Sequence, residues 1–221
     1  MDRFGLIGYP AAHSLSPKLF SEAYGGKYPY DIIETPDFDE AWSRFIEGYR
    51  AVNVTMPFKE QAAERADIKS PEVQKTGAAN ILVKTADGIA AHNSDYFAVL
   101  SILHDIIRKE AAPTVAVIGT GGAGKAAAAA AKSCGIQAQT YHHDEIADGV
   151  VADVIFYTLP SAVEGSDKLR CRILVEANYK NPCLKDIDTE YIPGETWLKR
   201  QAIYGYELMT GRTPDFGTLN F

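Results

Sequence analysis

The run "VAVIGTGGAGKAAAAAAKSCG", residues 115–135, limits the fold more than any other stretch of the chain. Four apolar residues suit a buried strand, and the six alanines 126–131 suit a helix. Between them, Gly119, Gly121 and Gly124 stand at G-x-G-x-x-G spacing. The first glycine permits a tight turn, the second lets backbone approach an anion, and the third lets the helix pack close to the strand. Gly122 and Ala123 complete the loop, whose N–H groups open the helix toward a pyrophosphate. A glycine turn holding no ligand has the same spacing, so the strand before and the helix after carry the assignment.

The end of the following strand separates NAD from NADP in such a fingerprint. Here that segment is "TYHHDE", residues 140–145, with Asp144 twenty residues beyond Gly124. An aspartate suits the ribose hydroxyls of NAD, whereas an arginine would suit the extra phosphate of NADP. No lysine or arginine lies between Lys132 and Lys168. His142 and His143 offer partial contacts to a phosphate, and a plain surface loop is the third alternative.

Strand and helix signals alternate along the rest of the chain. Strands are expected at 4–9, 30–35 and 51–56, then a hairpin over 79–93 turning at Asp87-Gly88. Further strands are expected within 136–144, 152–160 and 172–179. The helix at 16–26 is expected to have Ser16 as N-cap, Pro17 in first position and Gly25 or Gly26 as its stop. A second helix, 37–49, is expected to turn Phe38, Trp42, Phe45 and Ile46 to one side. Others are expected at 57–67, from Asp95 to about 111, and at 197–211. Alternation of this kind implies α/β architecture with parallel sheets, one in each of two lobes.

Within the first half, "NVTMPFKE" (53–60) runs from a strand into a helix. Pro57 suits the first helical position, which puts Lys59 in a first turn where the helix dipole disfavours a cation. Asp95, in "HNSD", follows the second hairpin strand. If the two strand ends are neighbours, Lys59 and Asp95 form an acid–base pair. Otherwise they are a solvated lysine and a capping aspartate. "AHSLSP" (12–17) offers Ser14 and Ser16, which share one side of an extended segment and can hold one carboxylate or polyol.

Bulk composition excludes several classes. A net charge of −7 argues against nucleic-acid binding, and no apolar run nears the roughly 20 residues that cross a bilayer. The N-terminus lacks the pattern of a secretory signal. Three cysteines, with no CxxC pair, read as reduced thiols of a cytoplasmic protein, and no metal-ligand spacing is present.

Seven stretches together resemble the shikimate dehydrogenases (the shikimate/quinate 5-dehydrogenase family), from Phe4 to about Asp215. They are "GYPAAHSLSP", "NVTMPFKE", "GAANILV", "HNSD", "GTGGAGKA", "NYKNP" and the spacing Gln201-x9-Gly211-x-x-Pro214-Asp215. The resemblance implies an oxidoreductase that reversibly reduces 3-dehydroshikimate to shikimate with NADPH, on the route to aromatic amino acids. It implies that Ser14 and Ser16 hold the substrate carboxylate. Thr55, Asn80, Tyr179 and Gln201 would bind the carboxylate or ring hydroxyls, and Lys59 and Asp95 would be the catalytic pair. Gly119, Gly121, Gly122, Ala123 and Gly124, with His142, His143 and Asp144, would take the cofactor, NADP with NAD as an alternative.

The implied architecture has an N-terminal α/β substrate lobe (1–97 plus 197–221) and a reduced Rossmann-like lobe (112–193), with a connecting helix (98–111). The active site is expected in the cleft between the lobes. The chain departs from the family in the cofactor lobe. Its usual Asn-Arg-Thr clamp for the 2′-phosphate aligns with His142-His143-Asp144, and only nine residues separate Asp144 from "VIFY". A shikimate-binding protein with weak or lost activity, or an NAD-using quinate/shikimate dehydrogenase, is therefore the alternative. A monomer or homodimer is expected.

Overall fold

The computed structural model describes residues 1–109 and 112–215, which form two compact α/β units. Residues 1–94 and the segment from Ala202 make the first unit; residues 95–201 make the second. No helix among the described residues is long and apolar enough to cross a membrane.

In the first unit, strands β1 (Phe4–Gly8), β2 (Tyr30–Glu34) and β3 (Ala51–Val54) run parallel. Helices α1 (Ser16–Ala23) and α2 (Phe38–Gly48) provide the crossovers, and α3 (Lys59–Arg65) follows β3. A two-residue strand β4 (Ile68–Lys69) and a short helix α4 (Pro71–Thr76) come next, neither expected from sequence. The expected hairpin closes the sheet: β5 (Ile81–Thr85) is antiparallel to β3 and to β6 (Gly88–His92). The spatial order is β2-β1-β3-β5-β6-β4.

Each face of this sheet is buried. Ile7, Ile33, Val52 and Val54 pack with Phe38, Trp42, Phe45 and Phe58. Elsewhere in the unit, Phe20 of α1 collects Phe4, Tyr30 and Tyr206 with ring centroids within 5.1 Å. Fully burying an aromatic side chain contributes about 2–3 kcal/mol, so this cluster ties residues far apart in sequence.

Three local expectations are corrected. Ser16 is the first residue of α1 rather than its N-cap, which is Leu15 and makes no side-chain capping bond. The chain enters through a turn in which Ser14 N–H donates to Ala11 O, so Ser14 Oγ accepts the Ser16 N–H instead. Pro57 is not the first helical residue either. It follows a cis peptide bond inside the turn Thr55–Phe58, closed by the Phe58 N–H on Thr55 O, and α3 starts at Lys59. Ile46 is 40% exposed, because one position beyond Phe45 turns about 100° out of the stripe, and Ala41 fills it instead.

The second unit starts within α5 (Ser94–Lys109) and holds five parallel strands. These are β7 (Val115–Ile118), β8 (Gln139–Tyr141), β9 (Val154–Tyr157), β10 (Ile173–Glu176) and β11 (Glu190–Ile192), in the order β11-β10-β9-β7-β8. Helix α6 (Gly122–Ser133) links β7 to β8, and α7 (Gly194–Thr210) follows β11. Alternation sorts the strand residues into two layers. Val117, Phe156 and Val175 pack with α5, α6 and Trp197 of α7. Ile118, Ile155, Tyr157 and Leu174 pack with Ile146, Val150, Leu169 and Leu184, which come from irregular segments. A single 3-10 turn, Ser166–Lys168, is the only helical element between β8 and β11. The trimming read from sequence thus leaves one sheet face without an α-helical layer.

Candidate active site

Strand register in the first unit brings the polar positions to one sheet edge. Ile7 lies beside Val54, Asn53 beside Ile81, and Ile81 beside His92. The segments after β1, β3 and β6 and before β5 therefore gather there. Thr55, half-buried, donates its N–H to Ile7 O at 2.8 Å. Asn80 is buried: its Nδ2 donates to Ser94 Oγ at 3.0 Å, and its Oδ1 accepts the Ser94 N–H at 2.7 Å. Lys59 stands at the first position of α3, with Glu60 beside it to offset the dipole. Its carbonyl accepts the Ala79 N–H at 2.8 Å, which sets the lysine backbone next to the Asn80 strand entry.

Ser14 and Ser16 come together by a route other than the extended segment expected. Leu15 between them is in the helical region, yet Ser14 Oγ and Ser16 Oγ lie 3.1 Å apart. The strand ends bearing Lys59 and leading to Asp95 are also not adjacent, since β5 lies between β3 and β6. Lys59 belongs to the first unit and Asp95 opens the second.

In the second unit Asp95 is 7% exposed, in the first turn of α5, and its Oδ1 accepts the Trp197 indole N–H at 3.0 Å. Gln201 is buried on α7. The glycine loop leaves β7 and enters α6 as expected. Gly119 has φ of 108°, and a Cβ on Gly124 would lie 1.9 Å from Gly119 O, so neither position takes a side chain. A Cβ on Gly121 would meet nothing within 4 Å. Helix α6 has no side-chain cap and no acidic residue in its first turn, so no carboxylate of its own offsets the positive end of its dipole.

The segment after β8 is anchored to this loop by the Gly119 N–H on Tyr141 O at 2.9 Å. His142 Nδ1 lies 2.7 Å from Asp144 Oδ1, and Glu145 Oε2 accepts the His142 N–H at 2.5 Å. The hydrogen bond from His142 holds the Asp144 carboxyl below its usual range. The His143 ring lies tilted against that of His142, centroids 4.1 Å apart, and all three residues are exposed. Their ligand atoms lie within 4.8 Å of one another, but an exposed group of this kind is common without a cation.

Tyr179 is half-buried in the loop after β10. Two residues that sequence reasoning passed over shape that loop. Asn178 Nδ2 donates to Pro160 O and Asn181 O at 2.8 and 2.7 Å, and its Oδ1 accepts the N–H groups of Lys180 and Asn181. Glu176 is fully buried and accepts from Cys183 N, Leu184 N and Tyr191 OH at 2.7, 3.2 and 2.6 Å. Its signal was a lone carboxylate in the apolar run "RILVEANY". Burial, then the hydrogen bond and charge of Glu176, push the Cys183 thiol up to about 12 and raise the Tyr191 phenol as well.

From β7 the chain passes to β8 on one side and later to β9 on the other, with the glycine loop at the carboxyl ends of this switch point. That geometry defines a Rossmann-like fold. The other unit has a similarity of its own. Residues 6–82 match the model of the shikimate dehydrogenase substrate binding domain. A shikimate dehydrogenase (NADP(+)) of Chromohalobacter salexigens is 44% identical over 93 residues, 39% of this chain and 34% of that relative. One of Thermus thermophilus is 34% identical over 143 residues, 62% of this chain and 54% of that relative. The chain thus spans about half or less of the length of these curated relatives. The fold extends further. The Thermus thermophilus shikimate 5-dehydrogenase crystallised with NADP(H) and shikimate superposes with a TM-score of 0.79 at 23% identity, over 97% of this chain and 95% of that one. A shikimate 5-dehydrogenase of Mycobacterium fortuitum does so with a TM-score of 0.73 at 26% identity, over 96% and 94%.

Proposed function

We propose that this chain is a shikimate dehydrogenase, which reversibly reduces 3-dehydroshikimate to shikimate with NADPH. The observation that carries the reading is the sheet edge holding Ser14, Ser16, Thr55, Lys59 and Asn80, in the domain matched to the substrate-binding family. Ser14 and Ser16 hold the substrate carboxylate, 3.1 Å between hydroxyls suiting two bonds to one group. Thr55, Asn80, Tyr179 and Gln201 bind the carboxylate or ring hydroxyls. The cofactor, when bound, supplies the hydride that reduces the carbonyl carbon. Lys59 gives its proton to the carbonyl oxygen and recovers one from solvent; in the reverse direction it takes the hydroxyl proton. Asp95 is assigned the second place in the catalytic pair by the family resemblance, not by strand adjacency.

Gly119, Gly121, Gly122, Ala123 and Gly124 hold the pyrophosphate, and His142, His143 and Asp144 meet the adenosine ribose. The cofactor is NADP, with NAD also accepted, because Asp144 and Glu145 stand where the 2′-phosphate needs a cation. A cytoplasmic monomer or homodimer fits the three free cysteines. The same acidic segment and the helix-poor sheet face favour a second reading, a shikimate-binding protein with little hydride transfer.

Steady-state oxidation of shikimate with NADP+ and NAD+ in parallel, beside calorimetry with shikimate alone, separates the two. Turnover with either cofactor supports the enzyme. Shikimate binding without turnover or nicotinamide uptake supports the binding protein.

A further inference from the structure

Asp95 and Trp197 are 102 residues apart, yet each sits in the first turn of a helix, α5 and α7, inside the second unit. They are 7% and 4% exposed, and the Trp197 Nε1–H reaches Asp95 Oδ1 at 3.0 Å. An indole N–H only donates, so the direction of this bond is fixed. The indole itself is held from behind. Its ring meets Phe156 of β9 edge-on, centroids 6.2 Å apart, within the cluster formed by Val99, Leu103 and Val175. A carboxylate this buried requires donors, and a rigid ring locked by packing loses little entropy in serving as one.

We propose that Trp197 is a positioning residue for catalysis: its indole N–H fixes the plane of the Asp95 carboxylate. This rests on the reading of Asp95 as half of the catalytic pair. The carboxylate must hold one orientation through each proton transfer, and a side chain free to rotate about its terminal bond would spend much of its time misaligned. Packing of Trp197 against the β9 face thus transmits the geometry of the sheet to the reacting groups.

Trp197→Phe keeps an aromatic ring against Phe156 and removes the donor. Its kcat for shikimate oxidation is expected to fall about five- to tenfold, with KM for shikimate changed less than about twofold. A second readout needs no turnover. The chain has two tryptophans, so Trp42→Phe leaves Trp197 as the sole indole emitter. In that background Asp95→Asn is expected to shift the Trp197 emission. In the Trp197→Phe background, where Trp42 alone emits from the first unit, Asp95→Asn is expected to leave emission unchanged. Unchanged kcat in Trp197→Phe, or emission of Trp197 blind to Asp95→Asn, overturns the proposal. If Asp95→Asn itself leaves turnover intact, the catalytic reading fails first. If Asp95→Asn abolishes turnover while Trp197→Phe does nothing, only the positioning role falls.

Discussion

The first unit spreads its chemistry over four strand ends, whereas the second concentrates its most specific geometry in one strand–turn–helix. On the proposed reading, a ring acid with several hydroxyls would need donors from many directions, and the segments at the ends of β1, β3, β5 and β6 would supply them. A pyrophosphate would need one cradle of N–H groups, and the proposed cradle, Gly119 to Gly124, spans only six residues. The difference shows where a chain of this kind tolerates trimming. Layers that only cover a sheet can shrink to loops, as they have over Ile118 and Ile155, while the β7–α6 turn cannot.

The largest expected effect tests the first side of this contrast. Lys59→Ala should lower turnover by about 100- to 10,000-fold while shikimate affinity, measured by calorimetry, changes only a few-fold. Equal and small losses in both would remove the lysine from catalysis. On the second side, the glycines should separate sharply. Gly124→Ala drives a methyl group into Gly119 O and is expected to cost about 1–3 kcal/mol in denaturant unfolding. Gly121→Ala points into open space, so it should leave stability alone and weaken dinucleotide binding. Equal stability of the two variants would break the comparison.

The expectations that held were those set by short-range rules. Asp87-Gly88 between two apolar runs marked the hairpin, and three spaced glycines between VAVI and six alanines marked the turn from β7 into α6. What escaped were elements too short to show a period: β4 has two residues, and β11 three, defined by the strands beside them. The caps failed for a related reason. Whether Ser14 or Ser16 serves α1 depends on the turn at Ala11, and residue preference alone does not encode that turn. The candidate site residues stand in spaced motifs, and the fold brings Ser14 and Ser16 together and sets Lys59 beside the strand entry of Asn80. Asn178 and Glu176 were not legible in the sequence, because what they do is bond a loop whose path only the fold defines.

Smaller effects sharpen the contrast further. Cofactor preference, as the ratio of kcat/KM for NADP+ and NAD+, should be weak, and Asp144→Asn should tilt it toward NADP+ by about two- to fivefold, the scale of one exposed charge. A strong NADP+ preference in the unmodified protein at physiological salt would show that a basic group outside 142–145 reads the phosphate. The smallest concerns thiols, all three of which belong to the second unit. Cys183, pushed from 9 up to about 12 by burial and Glu176, stays a thiol at pH 8. Iodoacetamide should therefore label it only after unfolding, read by mass spectrometry; rapid native labelling would contradict this. The raised value also sets a sign for stability. The contribution is full below about pH 9 and is lost as pH climbs toward 12, so alkaline denaturation should begin in that window.

The way the chain is divided has a consequence for how it is made. The second unit is continuous, residues 95–201, and every contact in its two cores is available once that segment has been synthesised. The first unit is made earlier but waits longer. Phe20 needs the ring of Tyr206, and Tyr24 OH needs Thr210 at 2.8 Å. On a ribosome the older half of the molecule therefore finishes last, with its aromatic cluster incomplete until Tyr206 has been made. A nascent chain halted after residue 201 is expected to protect the amides of β7 and β9 from exchange while α1 stays open.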